Sequence, residues 1–168
     1  MRVVPVPQLS DNYAYLVIDE TVAQAGIVDC AEADKVVAAA QREGVELVAI
    51  LPTHHHPDHV GGNRDLLREL PSLEVCGYSG EGRRIPGCTQ EVCEGDVVSV
   101  ASLQARILFI PAHTSGHIAY HFTADGAVFT GDTLFAGGCG RLFEVDAAQM
   151  MGSLAKLMDL PDETQVYF

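Results

Sequence analysis

The sequence has few basic residues: 10 lysines and arginines stand against 23 aspartates and glutamates, giving a formal net charge of -13 at pH 7. A protein that binds nucleic acid or an anionic membrane surface through charge needs a positive patch, so this composition argues against both partners. The N-terminal segment Met1 to Pro7 has one basic residue and no long apolar core, which predicts neither a signal peptide nor a membrane span. We therefore expect a cytoplasmic protein that acts on a small molecule.

The sequence also lacks the marks of a disulfide framework and of a domain boundary. Its five cysteines form no Cys-x-x-Cys pair and are odd in number, which fits reduced thiols. No Ser/Pro-rich linker, low-complexity tract or convincing repeat divides the chain. Its 168 residues, 48% of them hydrophobic, are enough for one domain with a sizeable core, and we expect residues 1–168 to form it.

Histidine and aspartate, by contrast, are concentrated in residues 53–59, which read Thr-His-His-His-Pro-Asp-His. This motif follows an apolar run, and sites in open α/β sheets lie outside the carboxyl ends of strands. His54 and His56 are two positions apart, so in an extended chain their side chains leave on the same side. Asp58 and His59 must then point elsewhere, which suits a second cation close to the first. The motif therefore predicts a paired-metal hydrolase rather than a solvated histidine-rich loop.

Two later segments supply the partners that such a motif needs. His113 follows the apolar run Ile107 to Ile110, and Asp132 follows Ala127 to Phe129, so each comes after a predicted strand. A carboxylate has two oxygens and can bridge two cations, which imidazole cannot do. One metal is expected to bind His54, His56 and His113, the other Asp58 and His59, with Asp132 between them.

These residues resemble the metallo-β-lactamase superfamily, which implies an α/β fold, an αββα sandwich of two mixed β-sheets with outer helices. Four segments within it are similar to glyoxalase II, or hydroxyacylglutathione hydrolase: Ser10-Asp-Asn-Tyr-Ala-Tyr, Thr53-His-His-His-Pro-Asp-His, the residues around His113, and Gly131-Asp-Thr-Leu-Phe-Ala-Gly-Gly-Cys-Gly-Arg-Leu-Phe-Glu. The resemblance implies a binuclear metal-dependent thioester hydrolase, with a metal-held hydroxide as nucleophile. Its substrate would be an S-(2-hydroxyacyl)glutathione, typically S-D-lactoylglutathione, and its products glutathione and a 2-hydroxy acid.

The same resemblance implies roles for individual residues and a choice of metal. Asp58 and Asp132 take the catalytic positions at the metals, while Arg141 and Phe143 match positions that contact glutathione in the family. Zinc is the first choice for the two divalent ions, with iron or manganese as alternatives. Cys139 lies near Asp132 in the sequence, but the family match places it outside the ligand shell.

The resemblance also predicts what this chain lacks. In the family, a strand like Gln165 to Phe168 leads into a segment with the last metal-ligand histidine and then into a helical domain that binds glutathione. We therefore expect an incomplete second metal site, no C-terminal substrate domain, and an exposed strand edge at Gln165 to Phe168. The alternatives are a non-catalytic or weakly active metal-binding fragment, or another hydrolase of the superfamily with a lactone, β-lactam or persulfide substrate.

Local patterns predict most of the secondary structure. Apolar spacing and turn residues indicate helices over Asn63 to Leu70 and from Asp146 to about Leu160, and a hairpin turning at Asp125-Gly126 as a two-residue turn. Asp29, at a strand end, is a candidate to orient a ligand histidine through its second ring nitrogen. The other expected elements are strands near Arg2 to Val6, Ala14 to Asp19 and Gln24 to Val28, a helix over Ala33 to Glu43 closed by Gly44, and short strands between Glu74 and Ile110.

Overall fold

The structure is a computed structural model that describes all 168 residues, and it contains two β-sheets. The first sheet is six-stranded, and its strands lie side by side in chain order. The first three strands pair antiparallel and the remaining ones parallel, so the sheet is mixed. The strands are β1 (Arg2–Gln8), β2 (Asn12–Asp19), β3 (Gln24–Val28), β4 (Glu46–Leu51), β5 (Glu74–Tyr78) and β6 (Gln90–Val92).

The second sheet is five-stranded and is also mixed. Its strands are β7 (Val97–Val100), β8 (Leu103–Phe109), β9 (Ile118–Phe122), β10 (Ala127–Phe129) and β11 (Gln165–Tyr167). Their order is β11-β10-β9-β8-β7, antiparallel except for the parallel pair β10 and β11. Because β8 and β10 flank β9 and both run antiparallel to it, their carboxyl ends lie at the same edge.

Helices cover the outer faces of the two sheets, which confirms the predicted αββα sandwich. The helices are α1 (Ala33–Glu43), α2 (Pro57–Val60), α3 (Asn63–Glu69) and α4 (Ala147–Met158). One apolar cluster joins the first sheet to α1 and α3, a second fills the space between the sheets, and a third lies under α4. Burial on both faces explains why β9 has no exposed residue.

Helix ends follow the signals that the sequence carries. Helix α1 ends at Gly44, whose φ of 68° is the left-handed conformation that glycine adopts without strain. Helix α4 begins after Asp146, whose carboxylate accepts a hydrogen bond from the Gln149 N–H at 2.9 Å. Met150 and Leu157 of this helix are buried.

The expected two-residue hairpin turn is wrong, although the hairpin itself is present. Strands β9 and β10 pair with Phe122 opposite Ala127, so four residues connect them, and Thr123–Asp125 form a 3-10 turn. Gly126 takes the left-handed conformation that ends this turn, with φ of 61°.

Several strand and helix ends also differ from expectation by one or two residues. As predicted, β11 is an exposed edge strand of its sheet, with Val166 41% exposed and the following residue, Phe168, 43% exposed. None of the helices is long and apolar enough to cross a membrane.

Candidate metal centre

The predicted ligands converge where strands of the two sheets end side by side. Strand β4 leads into the histidine motif, β8 into the loop that carries His113, and β10 into a 3-10 turn that carries Asp132. Two hydrogen bonds tie the motif to the second sheet: the Ile118 N–H donates to the Thr53 carbonyl, and the Tyr120 hydroxyl donates to the Pro52 carbonyl, both at 2.9 Å. The motif backbone is therefore held by both sheets.

Three histidines form the first group of the centre. One ring nitrogen from each of His54, His56 and His113 lies within 4.8 Å of the others. Within this group, Nε2 of His113 and Nδ1 of His56 lie 2.9 Å apart. The structure thus brings together the three side chains that the sequence assigned to one cation.

Asp132 joins this group to a second one. Its Oδ2 lies 3.4 Å from Nε2 of His113, whereas its Oδ1 lies 3.1 Å from Nε2 of His59. Asp58 approaches the second group from the outside, with Oδ2 3.7 Å from Nε2 of His59. His54 lies close enough to His59 and Asp132 to belong to both groups. The two oxygens of Asp132 therefore face different imidazole groups, which is the arrangement that a bridging carboxylate requires.

Asp29 orients two of the candidate ligand histidines from the side away from the centre. Its Oδ2 accepts from Nδ1–H of His59 at 2.9 Å, so Nε2 of His59 is left to face the centre. The Thr53 hydroxyl lies 3.0 Å from the same carboxylate and 3.1 Å from Nδ1 of His54. Since the hydroxyl has a single proton to give to Asp29, it accepts from His54, and the His54 lone pair is on Nε2. The hydrogen bond expected between Asp29 and a histidine of the motif is present, and Thr53 extends the contact to His54.

The loop that carries Arg141 and Phe143 packs on the first group. The Arg141 carbonyl accepts from Nδ1–H of His113 at 2.8 Å, which directs Nε2 of His113 inward. The Phe143 ring lies edge-on to His113 and His56, at centroid distances of 5.0 and 5.7 Å. The guanidinium of Arg141 is exposed and makes no ion pair. Both residues predicted to contact substrate thus lie beside the centre.

Charge and burial favour a cation at these groups. Burial, reinforced by His117 and His59, holds the pKa of His54 well below its usual value, so its lone pair is free. Burial lowers the pKa of His59, but Asp29 and Asp132 outweigh burial and raise that pKa to about 10. Burial raises the pKa of Asp132, but His59 and His113 outweigh burial and keep it below the usual value. Without metal, then, a proton is held between His59 and Asp132, where a divalent cation would replace it.

The donor set fits metal binding on independent grounds. Nε2 of His54 is buried without a hydrogen-bond partner, which is rare for a polar atom unless something else satisfies it. Imidazole nitrogen and carboxylate oxygen are ligands for zinc, iron and manganese. A cavity of about 390 Å³ opens beside Asp58, His59 and Asp132, which leaves room for further ligands at the second group.

Two residues of the centre lie within the segments that carry the resemblance, but the sequence analysis gave them no role. Nε2 of His117 accepts the Asp132 backbone N–H at 3.2 Å, and its ring stacks on His54 at 4.6 Å. The Asn12 side-chain amide donates to the Asp58 carboxylate at 3.2 Å. The signal for His117 was its position four residues after His113, whereas Asn12 lies too far away in sequence to be paired with Asp58. Cys139 is exposed and belongs to neither group, as expected.

Comparisons with known proteins agree with this geometry. The family model described as "Metallo-beta-lactamase superfamily" matches residues 11–167. A protein of Synechococcus sp. named hydroxyacylglutathione hydrolase is 51% identical over 173 residues, which cover 99% of this chain and 67% of that protein. The crystal structure of ETHE1 from Myxococcus xanthus superposes with a TM-score of 0.88 at 32% identity, covering 99% of this chain and 74% of that one. TTHA1623, solved in a di-iron-bound form, superposes with a TM-score of 0.84 at 30% identity, covering 98% and 90%.

The chain spans about two thirds of the length of the curated relatives that it matches. The family match nevertheless includes every strand end that carries a ligand candidate, and it therefore covers both ligand groups described above. On these grounds the chain belongs to the metallo-beta-lactamase superfamily.

Proposed function

We propose that this chain is the catalytic domain of a metal-dependent thioester hydrolase that converts S-(2-hydroxyacyl)glutathione to glutathione and a 2-hydroxy acid. The observation that carries the proposal is the position of Asp132, whose two oxygens face His113 and His59 at 3.4 and 3.1 Å. That geometry supports a centre for two cations. The name hydroxyacylglutathione hydrolase, carried by relatives 51% and 54% identical, supports the thioester over the lactone, β-lactam and persulfide alternatives.

The metal ligands that we propose are those of the two groups. His54, His56 and His113 would hold one divalent ion, Asp58 and His59 the other, and Asp132 both. Zinc remains our first choice because it binds imidazole and carboxylate without a strict geometric preference. Iron and manganese suit the same donors, and TTHA1623 was solved with two irons.

Divalent ions bound at this centre supply Lewis-acid activation of water and of a carbonyl oxygen. The residues of the chain hold and orient what reacts. Arg141 is exposed and its backbone carbonyl contacts His113, so its guanidinium can bind a carboxylate of the glutathione moiety near the first group. Phe143, 60% exposed, offers an apolar surface next to His113 and His56. The thiolate product leaves readily because a thiol is a stronger acid than an alcohol.

The proposed cellular setting is the cytoplasm. All five cysteines are free thiols, and Cys93 and Cys139 are exposed. Exposed thiols persist in a reducing compartment, whereas an oxidising one favours disulfides. A cytoplasmic location also agrees with a glutathione thioester as substrate.

The direct test is hydrolysis of S-D-lactoylglutathione by the 168-residue chain loaded with zinc, iron or manganese in turn. We expect metal-dependent turnover that His54→Ala and Asp132→Ala each abolish. His121→Gln is the matched control, because His121 is a buried histidine of β9 outside both ligand groups. Unchanged turnover in the Asp132→Ala variant would contradict the proposed centre. A folded chain that binds two metal equivalents and hydrolyses no thioester would contradict the proposed reaction.

A further inference from the structure

A polar cluster lies next to the metal centre but contains none of the proposed ligands. It consists of His55, Glu81, Arg84, Ser115 and Glu144. Glu81 is only 6% exposed, and its carboxylate accepts from Nδ1 of His55 at 2.9 Å, the Ser115 hydroxyl at 2.6 Å and the Arg84 guanidinium at 3.2 Å. The cluster therefore connects the histidine motif, the 3-10 turn after β5 and the loop that carries His113.

Glu144 attaches a fourth segment to this cluster. Arg84 donates to both of its carboxylate oxygens, at 2.6 and 3.2 Å, which is the two-point geometry that favours arginine over lysine. The Ser115 backbone N–H donates to the same carboxylate at 2.9 Å, and the Ser115 hydroxyl oxygen, whose single proton is given to Glu81, lies 2.8 Å from it. The pKa of Glu144 is lowered to about 2, chiefly by Arg84, so the pair is charged at neutral pH.

Residues 136–146, the substrate loop, have few other attachments. Most of the loop is exposed, and its regular pairing is limited to one isolated bridge between Phe135 and Gly138. Toward its start, Gly140 packs on the Asp132 backbone and the Arg141 carbonyl accepts from His113. At its other end, Glu144 binds Arg84 and Ser115. Of the proposed substrate contacts, Arg141 lies at the first attachment and Phe143 lies between the two.

We propose that Arg84 and Glu144 form a latch that holds the substrate loop against the metal centre, which makes Arg84 a positioning residue for thioester binding. The binding part of this inference rests on the proposed function, because it assigns a substrate to Arg141 and Phe143. The latch itself rests only on the contacts of Arg84 and Glu144. Without the latch, the segment from Arg141 to Phe143 is attached at one end only and samples more positions. A smaller fraction of the molecules then has the segment placed to bind substrate.

A third cation site is the competing interpretation of this cluster, since His55, Glu81 and Glu144 place donor atoms within 4.8 Å of one another. The Arg84 guanidinium already contacts both carboxylates and supplies the positive charge that a metal would otherwise bring. A bidentate arginine therefore accounts for the buried Glu81 and for Glu144 without a metal. A third metal equivalent bound by the wild-type chain and lost in Glu81→Gln would overturn the latch.

The test combines steady-state kinetics with hydrogen exchange on the metal-loaded chain. In Arg84→Met we expect the KM for S-D-lactoylglutathione to rise on the order of tenfold and kcat to stay within about twofold. This is the pattern expected when the lost interaction stabilises the bound substrate and the transition state equally. Amide exchange in residues 136–146 should become faster, because the loop is released. Arg84→Lys keeps the charge without the two-point geometry and should be intermediate in both measurements. Arg83→Met is the matched control, since Arg83 is exposed and makes no ion pair.

The two measurements separate the latch from the proposed function. A wild-type chain that does not hydrolyse the thioester would refute the proposed function, and loop exchange alone would then decide the latch. Unchanged exchange in Arg84→Met would overturn the latch whatever the KM. Faster exchange with an unchanged KM would overturn the positioning role. Glu144→Gln, at an exposed loop position, gives a second variant with the same readouts if Arg84→Met folds poorly.

Discussion

Gly140 is the position at which a single methyl group should damage the metal centre. A Cβ there would overlap the carbonyl oxygen of Asp132 and would lie 3.0 Å from Nδ1 of His113. The overlap cannot be relieved by rotating a side chain, because the obstacle is backbone. To reach an ordinary contact, either the substrate loop or the turn that carries Asp132 must move by about 1.5 Å, and a misplacement of even ~1 Å can cost on the order of 10²-fold in rate.

The assay compares Gly140→Ala with Gly138→Ala, two residues earlier in the same loop. A Cβ at Gly138 meets nothing within 4 Å, so this control carries the same chemical change without the overlap. We expect kcat/KM for thioester hydrolysis to fall by roughly 10²-fold in Gly140→Ala and by less than about twofold in the control. The overpacking should also lower the free energy of unfolding by about 1–3 kcal/mol in urea denaturation. Equal kinetics in the two variants would refute the claim that the loop and the Asp132 turn are packed at fixed distance.

Two further predictions concern the residues behind the ligands. Asp29→Asn leaves one acceptor oxygen where the carboxylate serves both Thr53 and His59, so we expect metal affinity to fall by about 10- to 100-fold in a titration with a competing chelator. Asparagine tolerates the φ of 57° at this position, so the substitution adds no backbone strain. An unchanged affinity would therefore argue against the orienting role. His117→Phe preserves the ring but removes the acceptor of the Asp132 N–H, so the metal-free chain should lose about 1–3 kcal/mol in urea denaturation. His121→Phe, at a buried histidine outside the centre, is its control, and an equal loss in both variants would attribute the effect to packing alone.

Local patterns predicted the ligand candidates because each one follows its own strand at short range. His54, His113 and Asp132 come three or four residues after the last residue of β4, β8 and β10. Helix α1 was predicted with its observed ends because apolar spacing and the left-handed Gly44 are both local signals. The prediction of a two-residue hairpin turn was wrong for the opposite reason. The length of the turn follows from the pairing of Phe122 with Ala127, and the Asp125-Gly126 dipeptide alone does not encode that register.

By itself, then, the sequence determined which chemical groups are available, namely six possible ligands, a cation at Arg141 and a glycine-rich loop. It also determined that these groups follow the ends of strands. Only the tertiary structure decided how these groups are supported. Arg84 and Glu144 are 60 positions apart, His113 and Arg141 28 apart, and Asn12 and Asp58 46 apart. These pairs meet because the sandwich brings loops from separate parts of the chain to one end of the molecule. The packing specifies each of these contacts, and no periodicity in the sequence predicts them.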